Sequence, residues 1–173
     1  MPLDRGFQNQ DTGAIRLEKG YFVKYDPVKR KKLGRYVFQY NPNSVSVAIG
    51  PAYNFNTAPV GSTAFAQYGY SEPVNISFSL FLEGHDTQEN LRSLRSFVES
   101  DPTANYANPP MAKLLLGNSL VWLQRVPIGV VDSLDVDITR QDRRLNPLQA
   151  TIKIKFIESR VSSLDAGKVR VYV

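Results

Sequence analysis

The stretch Phe38-Gln39-Tyr40-Asn41-Pro42-Asn43-Ser44-Val45 runs alternating aromatic residues into an Asn-Pro turn. A second alternating run, Val45 to Ile49, follows at once. Proline fixes its φ and donates no ladder hydrogen bond, and asparagine side chains bond the backbone of turns. The reading is two strands, Arg35 to Tyr40 and Ser44 to Ile49, joined by a tight corner.

Working outward, the same period of two recurs. In Gly69-Tyr70-Ser71-Glu72-Pro73-Val74-Asn75-Ile76-Ser77-Phe78-Ser79-Leu80, the residues Val74, Ile76, Phe78 and Leu80 face one way, continued by Leu82. Asn75, Ser77 and Ser79 face the other, so one face of this strand is expected to be buried. Upstream, Ile15 to Tyr25 reads as a strand with Tyr21, Val23 and Tyr25 on one face, broken by Asp26-Pro27. Downstream, Leu134, Val136 and Ile138 alternate with Asp135 and Asp137, and Ile152, Ile154 and Phe156 alternate with Lys153 and Lys155. Setting Leu134 opposite Phe156 puts Val136 against Ile154 and Ile138 against Ile152. Asp135 then meets Lys155 and Asp137 meets Lys153. That register makes one face apolar and pairs charges on the other, and a slip of one residue would put charges in the core.

Several short strands separated by turns predict a mainly β fold, an antiparallel β-sandwich or barrel. One flanking α-helix is expected near residues 87–99. Asp86 or Thr87 can cap it, Glu89 completes a capping-box relation with Asp86, and Leu91, Leu94 and Val98 form its apolar stripe. Asp101-Pro102 stops it, and Asn108-Pro109-Pro110 resets the chain before an apolar segment, Met111 to Trp122.

Pro51 to Gln67 stands apart. Small and polar residues dominate, yet Tyr53, Phe55 and Phe65 are spaced through it. It reads as a long loop, whose aromatics either tuck back onto the core or pack on a neighbouring subunit.

The chain has 173 residues, 42% of them hydrophobic and 21% charged. That suits a single domain, taken as 15–173, preceded by a polar, turn-rich arm at 1–14 expected to be flexible. No apolar run is long enough to span a membrane. The first residues lack a secretory signal, so the chain is expected to stay in the cytoplasm unless it leaves as part of a particle. It has no cysteine, which removes disulfides, thiol nucleophiles and thiolate metal sites. The net charge of +5 permits an acidic partner without requiring one.

Catalytic constellations are missing from the sequence. His85 is the only histidine and lies beside the expected helix start, as a surface or capping residue would. Asp132, Asp135 and Asp137 lack the glycine and closing glutamate of a calcium loop and fit the polar face of a strand. There is no phosphate-binding glycine loop, no nucleophile elbow and no base to activate a serine. No enzyme activity, cofactor or metal is expected. Basic residues cluster at Lys29, Arg30, Lys31 and Lys32 and again at Arg140, Arg143 and Arg144, as hairpin tips that are either simply solvated or meet an acidic partner. The first cluster has no carboxylate immediately beside it in sequence to neutralise it. A nucleic-acid-binding β-barrel using these basic loops is the alternative reading, although the strands lack basic–aromatic interleaving.

Four segments in order carry a resemblance. They are the aromatic-x-Tyr-Asn-Pro-x-Ser-Val-x-Val run from Phe38, the run from Tyr70 to Leu80, Gly129 to Val136, and Leu145-Asn146-Pro147-Leu148-Gln149-Ala150-Thr151-Ile152 running on to Glu158. This pattern resembles the tube and baseplate-adaptor proteins of contractile injection systems and phage tails, over roughly residues 35–158. Few residues follow Glu158, so the LysM module that often follows the shared domain is not expected. The resemblance implies a structural protein of a virion tail or injection particle, assembled in the host cytoplasm, that forms a homo-oligomeric and usually six-fold ring in the tail tube or baseplate hub. It implies other tube or baseplate proteins as partners, no membrane, and nucleic acid only as passing cargo. The candidate inter-subunit contacts are Lys29, Arg30, Lys31, Lys32, Tyr53, Phe55, Phe65, Arg143 and Arg144.

Overall fold

The computed structural model describes residues 18–56, 65–100 and 108–159. The expected arm at 1–14, the beginning of the first expected strand, the tip 57–64 and the side chains of Phe55 and Phe65 lie outside the described residues. The elements run β1 (Tyr21–Tyr25), β2 (Lys32–Val37), β3 (Val45–Ala48), β4 (Pro51–Asn56), β5 (Phe65–Ser71), β6 (Asn75–Glu83), α1 (Thr87–Arg95), β7 (Met111–Leu115), a 3-10 helix (Gly117–Leu123), β8 (Ile128–Gln141) and β9 (Pro147–Glu158). Seven strands form one antiparallel sheet in the order β2-β1-β7-β8-β9-β6-β3, and β4 and β5 form a separate two-stranded sheet.

The large sheet is rolled. β1 and β6 lie four strands apart in its order, which would separate them by about 19 Å if it were flat. Yet the rings of Phe22 on β1 and Phe78 on β6 have centroids 6.1 Å apart, and Phe22 lies 6.2 Å from Phe156 on β9. The sheet curls around a cluster of Phe22, Phe38, Phe78, Phe97 and Phe156, all buried. Such aromatic pairs contribute about 0.5–1.5 kcal/mol each beyond their area burial.

The Asn-Pro corner closes this roll. β2 leads directly into it, with Phe38 stacking 5.8 Å from Phe78. The Gln39 side-chain amide then acts as a strand end: its Nε2 donates to the Glu83 carbonyl at 2.6 Å, and its Oε1 accepts from the Glu83 N–H at 3.0 Å. Asn41 fastens the other side, its Nδ2 donating to the Glu18 carbonyl and its Oδ1 accepting from the Gly20 N–H. The chain then pairs along β6 as β3, Val45 opposite Phe78. The first and last strands of the sheet are thus consecutive in sequence, bent at Tyr40–Ser44.

β6 is as expected: Ile76, Phe78, Leu80 and Leu82 are buried and the alternate positions point out. β1 differs. Phe22, which is not among Tyr21, Val23 and Tyr25, is the deepest residue of the strand, and Val23 on the opposite face is also covered. α1 ends at Arg95, with turns following to Val98, so it is shorter than the apolar stripe suggests. Asp86 occupies the N-cap without a side-chain bond. Thr87 anchors the helix instead, its buried hydroxyl donating to the carbonyls of Gly84 at 2.8 Å and Leu148 at 3.2 Å.

The β8–β9 register is offset by two residues from the expected one. Leu134 faces Ile154, Asp135 faces Lys153, Val136 faces Ile152 and Asp137 faces Thr151. Side-chain parity survives, so each face keeps its character. The turn decides the register: Asp142 N donates to the Asn146 carbonyl, which fixes the closing pair, and a bulge between Val131 and Ser133 absorbs one residue. Lys155 consequently reaches Asp132, at 3.2 Å. The expected burial of Val136 and Ile138 also fails, because they are 43% and 45% exposed. β8 outruns the neighbours on its other side, since β7 pairs only with Gly129 and Ile128.

Gly129 is where three strands meet, facing Ala112 and Glu158. A Cβ there would overlap the Ile157 carbonyl and crowd the Glu158 Cα, so only glycine fits.

Candidate assembly interface

Lys29, Arg30 and Lys31 lie in the turn between β1 and β2 and Lys32 opens β2, and all four residues are exposed. Arg30 has φ +56°, a left-handed conformation the turn requires. A carboxylate does stand at its base: buried Asp26 accepts from the N–H groups of Val28 and Lys29 at 2.8 and 2.9 Å. That bonding shapes the turn and leaves four cationic side chains pointing outward.

Arg143 and Arg144 form the tip of the β8–β9 hairpin, and Arg140 precedes it on β8. Asp142 organises the tip. Its Oδ1 accepts from the N–H groups of Arg144 and Asn146, and its Oδ2 from the Asn146 side chain at 2.9 Å. The bonds from Asn146 are the main cause holding this carboxyl below the usual range, with exposed His85 a weak last contributor. Tip and basic turn do not converge. Met111 joins Tyr25 at the turn to the start of β8 near Val130, leaving roughly 30 Å of β8 between the turn and the tip.

The expected loop at 51–67 is a β-hairpin. β4 pairs with β5 from Pro51 opposite Ser71 to Asn56 opposite Phe65, and Glu72 N donates to the Gly50 carbonyl. It therefore continues the β3–β6 pair outward as a two-stranded arm. Period-two alternation was masked by the glycines and small residues around it. The arm presents Tyr53, Tyr68 and Tyr70, all at least half exposed. Tyr53 lies opposite Tyr68, their rings edge-to-face at 6.3 Å.

A fourth surface was not foreseen. Below the arm's root, a cleft of about 700 Å³ opens between β1, β2 and the 3-10 helix, lined by Tyr21, Arg35, Leu120, Val121, Arg125 and Val126 among others. Leu120 and Leu123 hold the 3-10 helix to the core, while Val121 and Trp122 point outward, the tryptophan 59% exposed. Arg125 is fixed by a two-pronged pair with buried Glu158, Nε to Oε1 at 2.7 Å and the second nitrogen to Oε2 at 2.8 Å. Arg35 stacks on Tyr21, its guanidinium carbon 3.8 Å from the ring centroid. The run Met111–Trp122 is visibly apolar in sequence, but a seven-residue 3-10 segment has too short a period to show which residues face out.

None of these surfaces gathers reactive groups, and among the described residues no three carboxylates or histidines cluster to hold a metal.

No protein-family model matches the chain, and no curated protein matches it. Among solved structures, the PVC sheath–tube complex of an extracellular contractile injection system, in its extended state, is similar over 87% of this chain and 90% of that chain, at 18% identity and a TM-score of 0.38. The PVC sheath/tube terminator, also extended, is similar over 86% and 94%, at 18% identity and a TM-score of 0.38. Overlap this loose carries no argument about shared detail.

Proposed function

We propose that this chain is a structural subunit of the tail tube or baseplate hub of a contractile injection particle or phage tail, forming a ring and joining it to the rings beside it. It works by shape and binding, without turnover. The observation that carries this is the aromatic arm. A two-stranded sheet with three exposed tyrosines is marginal by itself, and its solvent-facing aromatics match the composition of buried interface cores. The ordered motifs that resemble tube and adaptor proteins support the same reading, since they form the Asn-Pro corner and strands β6, β8 and β9 of the rolled sheet.

The ring also answers a problem of the fold. β2 and β3 each leave one side of the ladder unpaired among the described residues, and open edges are liabilities unless covered. Edge pairing between neighbours covers both, and a head-to-tail contact closes when its rotation divides a full turn. The basic turn and the arginine tip would meet acidic patches on adjacent components and fix their orientation. The nucleic-acid reading loses ground because the two basic clusters lie far apart along β8.

Mass spectrometry of purified particles, followed by electron microscopy of the tail, tests the proposal. The expected result is this chain in the particle, in six-fold rings. Its absence from particles, together with salt-sensitive retention on DNA or RNA, would replace the proposal with the nucleic-acid reading.

A further inference from the structure

We propose that the tyrosine face of the β4–β5 arm of one copy docks into the cleft beside the 3-10 helix of a second copy. This rests on the ring reading and adds to it the receiving site.

The two surfaces fit chemically. Tyr53 and Tyr68 are opposed across the arm and share one face, while a bulge between Ala52 and Tyr53 sets Tyr70 opposite Ala52 on the other face. The arm thus carries one aromatic face tipped with hydroxyls. The cleft offers an apolar floor from Leu120, Val121 and Val126, and two guanidinium groups, Arg35 and Arg125. Arginine packs favourably on tyrosine rings, and Arg35 already does so on Tyr21 within the cleft wall. The two docked tyrosines would bury on the order of 300–500 Å², about half of one partner's share of a standard interface. Exposed Trp122 stands beside the cleft, and tryptophan is enriched at the energetic centres of interfaces.

The geometry favours a second copy over the same one. Arm and cleft share a root: Glu158 N donates to the Val74 carbonyl below the arm, and the Glu158 carboxylate holds Arg125. β4 leads away from that root for six residues, about 20 Å, and among the described residues no arm side chain lines the cleft. A paired ladder cannot double back within that length, whereas a neighbour's arm can enter. Because every copy carries both arm and cleft, the contact is head-to-tail and repeats.

The test is a photo-crosslink in the full chain, with Tyr68→p-benzoylphenylalanine and a mixture of ¹⁵N-labelled and unlabelled copies. The expected product is an isotopically mixed peptide joining the arm to residues 117–127. Val126→Glu should weaken association about tenfold or more, with an unchanged thermal melt, and Val126→Leu should restore it. Mixed crosslinks to any other region would overturn this docking and leave the ring reading standing. Crosslinks confined to one isotope would show the arm folded on its own copy and overturn it. Crosslinks only to a different protein of the particle would do the same. Failure of the copies to associate at all would overturn both the docking and the ring reading.

Discussion

β6 and β8 flank the same strand, β9, and each has a stretch of alternating apolar and polar residues, Asn75 to Leu80 and Ser133 to Thr139, yet the two end up in different surroundings. On β6 Ile76, Phe78, Leu80 and Leu82 are all buried. On β8 burial stops after Val131, Leu134 is only partly covered, and Val136 and Ile138 are largely open. β6 is covered because the rolled sheet wraps over its inner face, where α1 and Phe38 of the Asn-Pro corner also pack. Distal β8 runs beyond β7, and Leu134 and Val136 border an open groove beside α1, which covers them only in part. Alternation reports that a strand has two faces. What lies against the apolar face is decided by the length of the neighbouring elements. The β4–β5 arm is the extreme case, with tyrosines and no covering layer.

That contrast can be broken by mutation. Phe156→Ala, in the aromatic cluster, should cost about 3–5 kcal/mol, enough to unfold a marginal domain. If denaturant melts showed a small loss instead, the roll of the sheet around that cluster would be wrong. Gly129→Ala should cost about 1–3 kcal/mol or more, because the added methyl meets the Ile157 carbonyl. A neutral result would mean that the three-strand junction is looser than described. Val136→Asp belongs to the open half of the hairpin and should cost about 1 kcal/mol or less, since exposed positions tolerate charge. Severe destabilisation there would mean that distal β8 is covered in the free subunit.

Tyr36→Phe sharpens the comparison from the buried side. The Tyr36 hydroxyl is buried without a hydrogen-bond partner among the described residues, so its removal should be neutral or stabilising by up to about 1 kcal/mol. Burial also pushes its pKa up to about 12, against about 10 in an unfolded chain. The unfolded chain therefore loses this proton first, and stability falls as pH rises from about 10 to about 12. Alkaline melts of Tyr36→Phe should lack that component. An identical alkaline slope in both proteins would place the Tyr36 ring in solvent.

Much of the fold was legible in the sequence. The Asn-Pro corner, the burial pattern of β6 and the position of α1 follow from local chemistry and period. The β8–β9 register did not, because Asp142 fixes it through side-chain bonds to Asn146 that alternation cannot register. The arm hid among small residues, and two of its candidate contacts, Phe55 and Phe65, have side chains outside the described residues. The cleft was invisible, since it joins β1, β2 and a 3-10 helix distant in sequence. The basic clusters could be placed on turns in advance, but not their separation along β8.

The central claim is that the uncovered half of the molecule is covered by assembly. Hydrogen–deuterium exchange on the free subunit and on the assembled particle tests it most directly. In both states β6, β9 and the corner at 38–45 should be protected. In the particle alone, the backbone of β4 and β5 should gain protection by at least about tenfold in exchange rate. Equal exchange of the arm in the two states would contradict the account.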